Sequence, residues 1–186
     1  MKKQPIIKDN TGFFDSIISD YILDTLPFWH NIGFTPNILT TLGFTSTSIC
    51  LVLYYKSYIL YSIFFLLLRW YFDYADGMLA RKYKETSKFG DWYDHITDWI
   101  FFSGFLYITY LKSNTKTFHI SMLLIAGILF GIHQGCIEKV NTQYNNSQET
   151  SLSRTRHICV ESPFTSFFDN TILYLVMIYL IYDINK

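Results

Sequence analysis

Between Asp73 and Asp98 the chain reads DYADGMLARKYKETSKFGDWYDHITD, and Asp73, Asp76, Asp94 and Asp98 fall there at helical spacing. Asp73 and Asp76 are i, i+3 and Asp94 and Asp98 are i, i+4, so each pair shares one face of a helix. Gly77 and Ala80 leave the first face low enough for a large ligand to approach the backbone. Arg81, about two turns after Asp73, can turn its guanidinium to the same side. Carboxylate oxygens in this number suit hard divalent cations, Mg²⁺ or Mn²⁺, which keep some waters and bind substrate phosphates. Two such ions would neutralise both the acidic face and a pyrophosphate. Strongly apolar runs flank the stretch, and carboxylates beside a bilayer core are costly enough to require a function. For a lone DxxD, a solvated acidic patch at helix ends would be explanation enough.

The spacing carries further than a lone DxxD. The stretch fits DxxDGxxAR, then eight residues, then GxxxDxxxD without a gap. With each residue type near 5% usage, chance gives this pattern roughly once in ten billion starts. It resembles the signature of the CDP-alcohol phosphatidyltransferase family at every defining position. Such enzymes cleave the pyrophosphate of a CDP-linked alcohol, pass the phosphate-bearing group to an acceptor hydroxyl and release CMP. The resemblance implies that Asp73, Asp76 and Asp94 hold one Mg²⁺ (or Mn²⁺), and Asp73, Asp94 and Asp98 a second. It makes Asp98 the general base for the acceptor hydroxyl, and sets Gly77, Arg81 and Ser87 against the CDP donor. Asp91 reads as a helix N-cap or a group supporting the ligands. His95, in YDHITD, resembles the Asp-His pair of the choline- and ethanolamine-phosphotransferase branch and would assist proton removal from a lipid hydroxyl. The donor is therefore CDP-diacylglycerol or CDP-choline/ethanolamine, the acceptor an alcohol. A homodimer is implied by the family alone.

The elements that must position these groups are apolar helices. Of the 186 residues half are hydrophobic and 19% aromatic, and the formal net charge of zero gives no ground for nucleic-acid binding. Spans are expected over residues 38–57, 58–80, 92–111, 118–137 and 165–183, each near the length a bilayer requires. The second delivers Asp73 and Asp76, and the third begins at Asp91. The fold class expected is thus all-α, a polytopic integral membrane bundle of five or six transmembrane helices. The resembled family usually has six, so residues 139–163 either hide a short helix or mark a loss. Residues 12–29, with Phe14, Ile17, Ile18, Tyr21, Ile22 and Leu26 interleaved with Asp15, Asp20 and Asp24, read as an amphipathic helix at the membrane interface. Pro27 and Pro36 bracket a connection. Residues 1–35 form a juxtamembrane segment and 36–186 the transferase-like domain. The N-terminus lacks the apolar core and cleavage site of a signal peptide.

Basic residues cluster on one side: Lys2, Lys3, Lys8, Arg81, Lys82, Lys84, Lys88, Lys139, Arg154 and Arg156, against Lys56, Lys112 and Lys116 on the other. Positive-inside then turns the site to the cytosol, at the endoplasmic reticulum in a eukaryote, and leaves the sequon Asn145-Asn146-Ser147 unmodified. Arg154, Arg156 and His157 read as a basic loop near anionic headgroups rather than a phosphate subsite. Cys50, Cys136 and Cys159 are odd in number with no CxxC pair, which argues against a disulfide framework. His133, Cys136, His157 and Cys159 are too closely spaced in the second pair for a usual zinc site. Two other classes compete with the enzyme: a catalytically inactive family member acting as a membrane scaffold, and a cation transporter. The intact signature weighs against the first, and the Gly-Ala face beside an Arg against the second.

Overall fold

The computed structural model describes residues 12–145, 159 and 167–186, and every regular element among them is an α-helix. In chain order these are α1 Phe13–Asn31, α2 Pro36–Tyr55, α3 Ile59–Tyr83, α4 Lys88–Lys112, α5 Lys116–Asn145 and α6 Asn170–Asn185. The connections from α2 through α5 are short, so these helices alternate in direction, while α1 lies across the end where α2 and α6 begin, meeting α6 with its first turn and α2 and α3 with Ile22 and Leu26. The beginnings of α2, α4 and α6 and the end of α3 therefore gather at one end of the bundle. α2 packs along both α3 and α4, whereas α3 and α4 approach each other much less closely. Their side chains must fill the space between them.

Two apolar clusters hold the bundle. One joins Cys50, Tyr54, Leu66, Phe101, Phe105, Leu173, Met177 and Leu180 from α2, α3, α4 and α6. The other joins Ile22 and Leu26 of α1 to Leu39, Ala75, Met78 and Leu79 of α2 and α3. Along α3 the fully buried members of the first cluster stop at Leu66 and those of the second begin at Ala75, and Arg69 and Asp73 form a polar layer between them. Fully burying one leucine is worth about 1.5–3 kcal/mol in water, so the clusters dominate while the polar layer is a cost that needs partners.

α1 is tied to α6 by a reciprocal cap that the charge pattern did not announce. Asp169, the N-cap of α6, accepts from Phe14 N (2.7 Å) and Asp15 N (2.9 Å). Asp15 in return accepts from Asn170 N (3.1 Å), Thr171 N (3.0 Å) and Thr171 Oγ1 (2.7 Å). Each carboxylate thus answers the free N–H groups of the other helix's first turn. Asp15 is buried, while Ile17 and Tyr21 point outward, so the polar and apolar faces expected of this helix are partly exchanged. The helix also runs through Pro27, and the connection to α2 is confined to residues 32–35, with Pro36 opening α2.

Other boundaries differ from the expected spans. α5 continues past residue 137 to Asn145, and α6 begins at Asn170 rather than 165. Residues 146–158, with Arg154, Arg156, His157 and most of the stretch where a further helix was in question, lie outside the described residues, as do Lys2, Lys3 and Lys8. Cys136 and Cys159 form a disulfide, which overturns the expectation drawn from cysteine count. An odd count excludes nothing when the third thiol, Cys50, is buried in the core. Two helices, Pro36–Tyr55 and Lys116–Ile137, are long and apolar enough to cross a membrane, and α6 is a shorter apolar helix. α3 and α4, which carry the polar layer, are long enough but less apolar.

Candidate active site

The aspartates stand well inside their helices rather than at the helix ends. α3 runs unbroken through Asp73, Asp76 and Arg81, and stops where Lys84 takes a left-handed backbone conformation, φ 60°. Four residues, 84–87, reverse the chain. α4 is then capped by Ser87, whose Oγ accepts from Gly90 N at 3.0 Å. Asp91 is accordingly not the cap; it sits in the first turn. Gly90 gives room here: a Cβ would come within 2.8 Å of Asn37 Oδ1 and 3.0 Å of Ser87 Oγ, so those side chains would have to shift.

Asp73, Asp76 and Asp94 line one cleft, with Arg69 and Thr97 beside them and Thr40, Gly43, Phe44 and Thr47 as its α2 wall. Asp76 is buried and accepts a 2.5 Å hydrogen bond from Thr40 Oγ1. Asp98 reaches the same layer from α4 and accepts from Arg69 Nη2, and that nitrogen also lies 3.3 Å from Asp73 Oδ1. One guanidinium therefore bridges the two helices. Arg69 also donates to Tyr174 of α6 and stacks 4.2 Å from the Phe101 ring centre.

His95 stands beside the cluster, its Nδ1 3.8 Å from Asp94 and its Nε2 3.8 Å from Asp91. Asp94, His95 and Asp98 each offer one ligand atom within 4.8 Å of the others. Arg81 faces Asp76 and Asp94 electrostatically, and its guanidinium lies across Gly77, where a Cβ would be 3.2 Å from Nη1. Ser87 is exposed at the rim, and its hydroxyl oxygen accepts the cap hydrogen bond. The four aspartates and His95 are thus gathered in one layer, with Arg81 at its edge and Ser87 apart from it.

Residues 34–182 match the family model for CDP-alcohol phosphatidyltransferase. The chain belongs to the CDP-alcohol phosphatidyltransferase family. No curated protein and no solved structure matches it. Membership implies a transferase of phospholipid synthesis that takes a CDP-alcohol donor and an alcohol acceptor and depends on a divalent metal. The match covers α2 to nearly the end of α6 and leaves α1 outside it.

The donor set of this transferase fits such a metal. Four carboxyl groups, Asp73, Asp76, Asp94 and Asp98, face two guanidiniums, Arg69 and Arg81, a formal excess of two acidic groups that a divalent cation would offset. Buried charge of one sign is expensive, and carboxylate oxygens are what Mg²⁺ and Mn²⁺ prefer. Three groups in this layer were not legible as partners: Thr40, Tyr174 and Phe101. Thr40 was one hydroxyl among six in its helix, and Tyr174 is far away in sequence, so neither carried a local signal. Arg69 had one, since it precedes Asp73 by a single helical turn.

Proposed function

We propose that this protein is a multi-pass membrane enzyme in which an acceptor hydroxyl displaces CMP from a CDP-linked donor. The single observation that carries the reading is the convergence of Asp73, Asp76, Asp94 and Asp98 from α3 and α4 on one polar layer. Asp73, Asp76 and Asp94 would hold one Mg²⁺ or Mn²⁺, and Asp73, Asp94 and Asp98 a second. Bound there, the ions would supply charge neutralisation for the pyrophosphate and for departing CMP.

The chain's own groups account for the remaining tasks. Asp98 takes the proton from the acceptor hydroxyl. Arg81 forks onto a donor phosphate, which a lysine could not do in two places at once. Gly77 keeps the α3 backbone open beside it, and Ser87 contacts the donor from the rim. Thr40 fixes the Asp76 carboxylate through its 2.5 Å hydrogen bond. His95 assists at a lipid hydroxyl if the donor is CDP-choline or CDP-ethanolamine.

Membrane crossing by more than the two most apolar helices is supported by length and by the outer surface. At 1.5 Å per residue, the 25-residue α3 and α4 are each roughly 37 Å long, enough to span a hydrocarbon core. Leu60, Phe64, Trp99, Ile125, Ile128 and Leu175 point outward from four helices, as side chains facing lipid would. Arg81, Lys82, Lys84 and Lys88 around the α3–α4 connection favour a cytosolic site. The Cys136–Cys159 disulfide favours an oxidising compartment. Trapping of thiols in intact cells decides between them: free Cys136 and Cys159 would accord with the cytosol.

The test of the activity is purified protein in lipid vesicles, given CDP-diacylglycerol, CDP-choline or CDP-ethanolamine with a panel of alcohols. One donor should release CMP only when Mg²⁺ or Mn²⁺ is present. Folded protein that releases none from any donor would end this reading and leave the scaffold.

A further inference from the structure

We propose that Arg69 is the resident counterion of the carboxylate layer, holding Asp73 and Asp98 together until a divalent cation takes its place and setting how tightly that cation binds. The inference rests on the metal-dependent reading above, and assigns Arg69 a positioning role that the motif does not contain.

The argument begins with cost. Arg69 lies in the apolar run ILYSIFFLLLRW and is 5% exposed, so its charge must be matched inside the protein. It is matched on four sides. Asp73 Oδ1 is 3.3 Å from Nη2, one helical turn along α3, and Asp98 on α4 accepts from the same nitrogen. Tyr174 on α6 accepts from Nη1, and the face of Phe101 lies 4.2 Å from the guanidinium carbon. Two of these partners are the oxygens that a divalent cation would need, and two are not. A cation bound to Asp73 and Asp98 must push the guanidinium away, by competition for the same atoms and by like-charge repulsion. Tyr174 and Phe101 remain to hold it, through a hydrogen bond and a cation–π contact, so displacement does not strand the charge against lipid. Without an ion, the same guanidinium prevents Asp73 and Asp98 from repelling each other and keeps α3 and α4 in register across a gap where their backbones are far apart.

Arg69→Gln and Arg69→Lys, purified in detergent beside the wild type, test this with Mn²⁺ as the probe. Free Mn²⁺ is followed by electron paramagnetic resonance, and melting temperature is read in chelator and in Mn²⁺. Arg69→Gln should bind Mn²⁺ roughly tenfold more tightly, since a competing unit charge has gone. It should also melt several degrees lower in chelator, so the rise on adding Mn²⁺ widens. Arg69→Lys keeps the charge but loses the fork, and should fall between the two on both measures. Equal or weaker Mn²⁺ binding by Arg69→Gln, or an unchanged melting temperature in chelator, overturns the proposal. If Arg69→Gln does not fold, Arg69→Lys decides: affinity at or below wild type overturns it. Wild-type protein that releases CMP with Mn²⁺ while the variants bind it unchanged sinks the counterion role alone. Wild-type protein that takes up no Mn²⁺ sinks the metal reading along with it.

Discussion

Towards its two ends the helix bundle carries polar clusters, and they are built on opposite principles. At the end away from the aspartates, the three N–H donors of Lys112 are shared among Tyr54 O (2.7 Å), Tyr55 O (3.1 Å), Ser57 Oγ (2.7 Å) and Asn185 Oδ1. His119 stands between Ser113 Oγ (2.8 Å) and Asp183 Oδ2 (3.1 Å), and Tyr54 OH pairs with Thr109 Oγ1 at 3.1 Å. One ammonium and one carboxylate are surrounded by groups that satisfy them, and the α2, α4, α5 and α6 termini are stitched together. At the other end the aspartates outnumber the cations, and their best partner, Arg69, is shared between Asp73 and Asp98. A cluster whose charges close on themselves is a fastening. A cluster left with net charge is a place where something charged binds.

The widest separation between the ends should come from removing one carboxylate at each. Asp98→Asn keeps the shape of the side chain but loses both its charge and its ability to take a proton. CMP release should fall by roughly 10³-fold or more, while far-ultraviolet circular dichroism stays that of the folded protein. Asp183→Asn, at the fastening, should leave turnover within about threefold and lower the melting temperature instead. Comparable losses of turnover from both changes would erase the distinction. A smaller effect sharpens it: Thr40→Val removes the hydroxyl that supports Asp76 without touching any charge. Groups of this kind tune a metal site, so Mn²⁺ affinity should weaken by about 10–100-fold, measured by titration. An unchanged affinity would remove Asp76 from the ligand set.

What could be read from sequence differed between the ends for a physical reason. Asp73, Asp76, Asp94 and Asp98 announce themselves because chemistry demands fixed residue types at fixed helical spacing, and that spacing is local. The helical class followed from long apolar runs in the same way. Lys112, His119 and Asp183 showed no pattern, since a fastening needs only some donor and some acceptor to meet across long sequence separations. The Asp15–Asp169 reciprocal cap was hidden for that reason too, and Asp15 looked like one acid of an exposed polar face. Asp91 was misjudged as a cap because Ser87 offers the same chemistry one turn earlier, and Gly90 lets the helix start there. The disulfide could not be inferred from counting, because pairing depends on which thiols the fold brings together.

The smallest change to catalysis should come from Lys112→Met, and it asks whether the ends are independent. Methionine retains much of the lysine stem's apolar contact but none of its donors. Tyr54 O and Tyr55 O belong to the last turn of α2, where carbonyls lack helical partners and a cation is favoured. Losing the ammonium should cost about 1–3 kcal/mol of stability. α2 also forms the cleft wall through Thr40, Gly43 and Thr47, about one to three turns from its start. If α2 moves as a rigid rod, loosening its far end would shift that wall and weaken Mn²⁺ binding. The apolar cluster that takes in Cys50 and Tyr54 holds the last third of α2 against Leu66 and Phe105, between the cleft wall and the fastening. The expected result is therefore a lower melting temperature with Mn²⁺ affinity and CMP release within about twofold of wild type, as for distant sites that share no partner. A parallel loss of affinity would mean that the fastening sets the geometry of the carboxylates, and that the two ends work as one device.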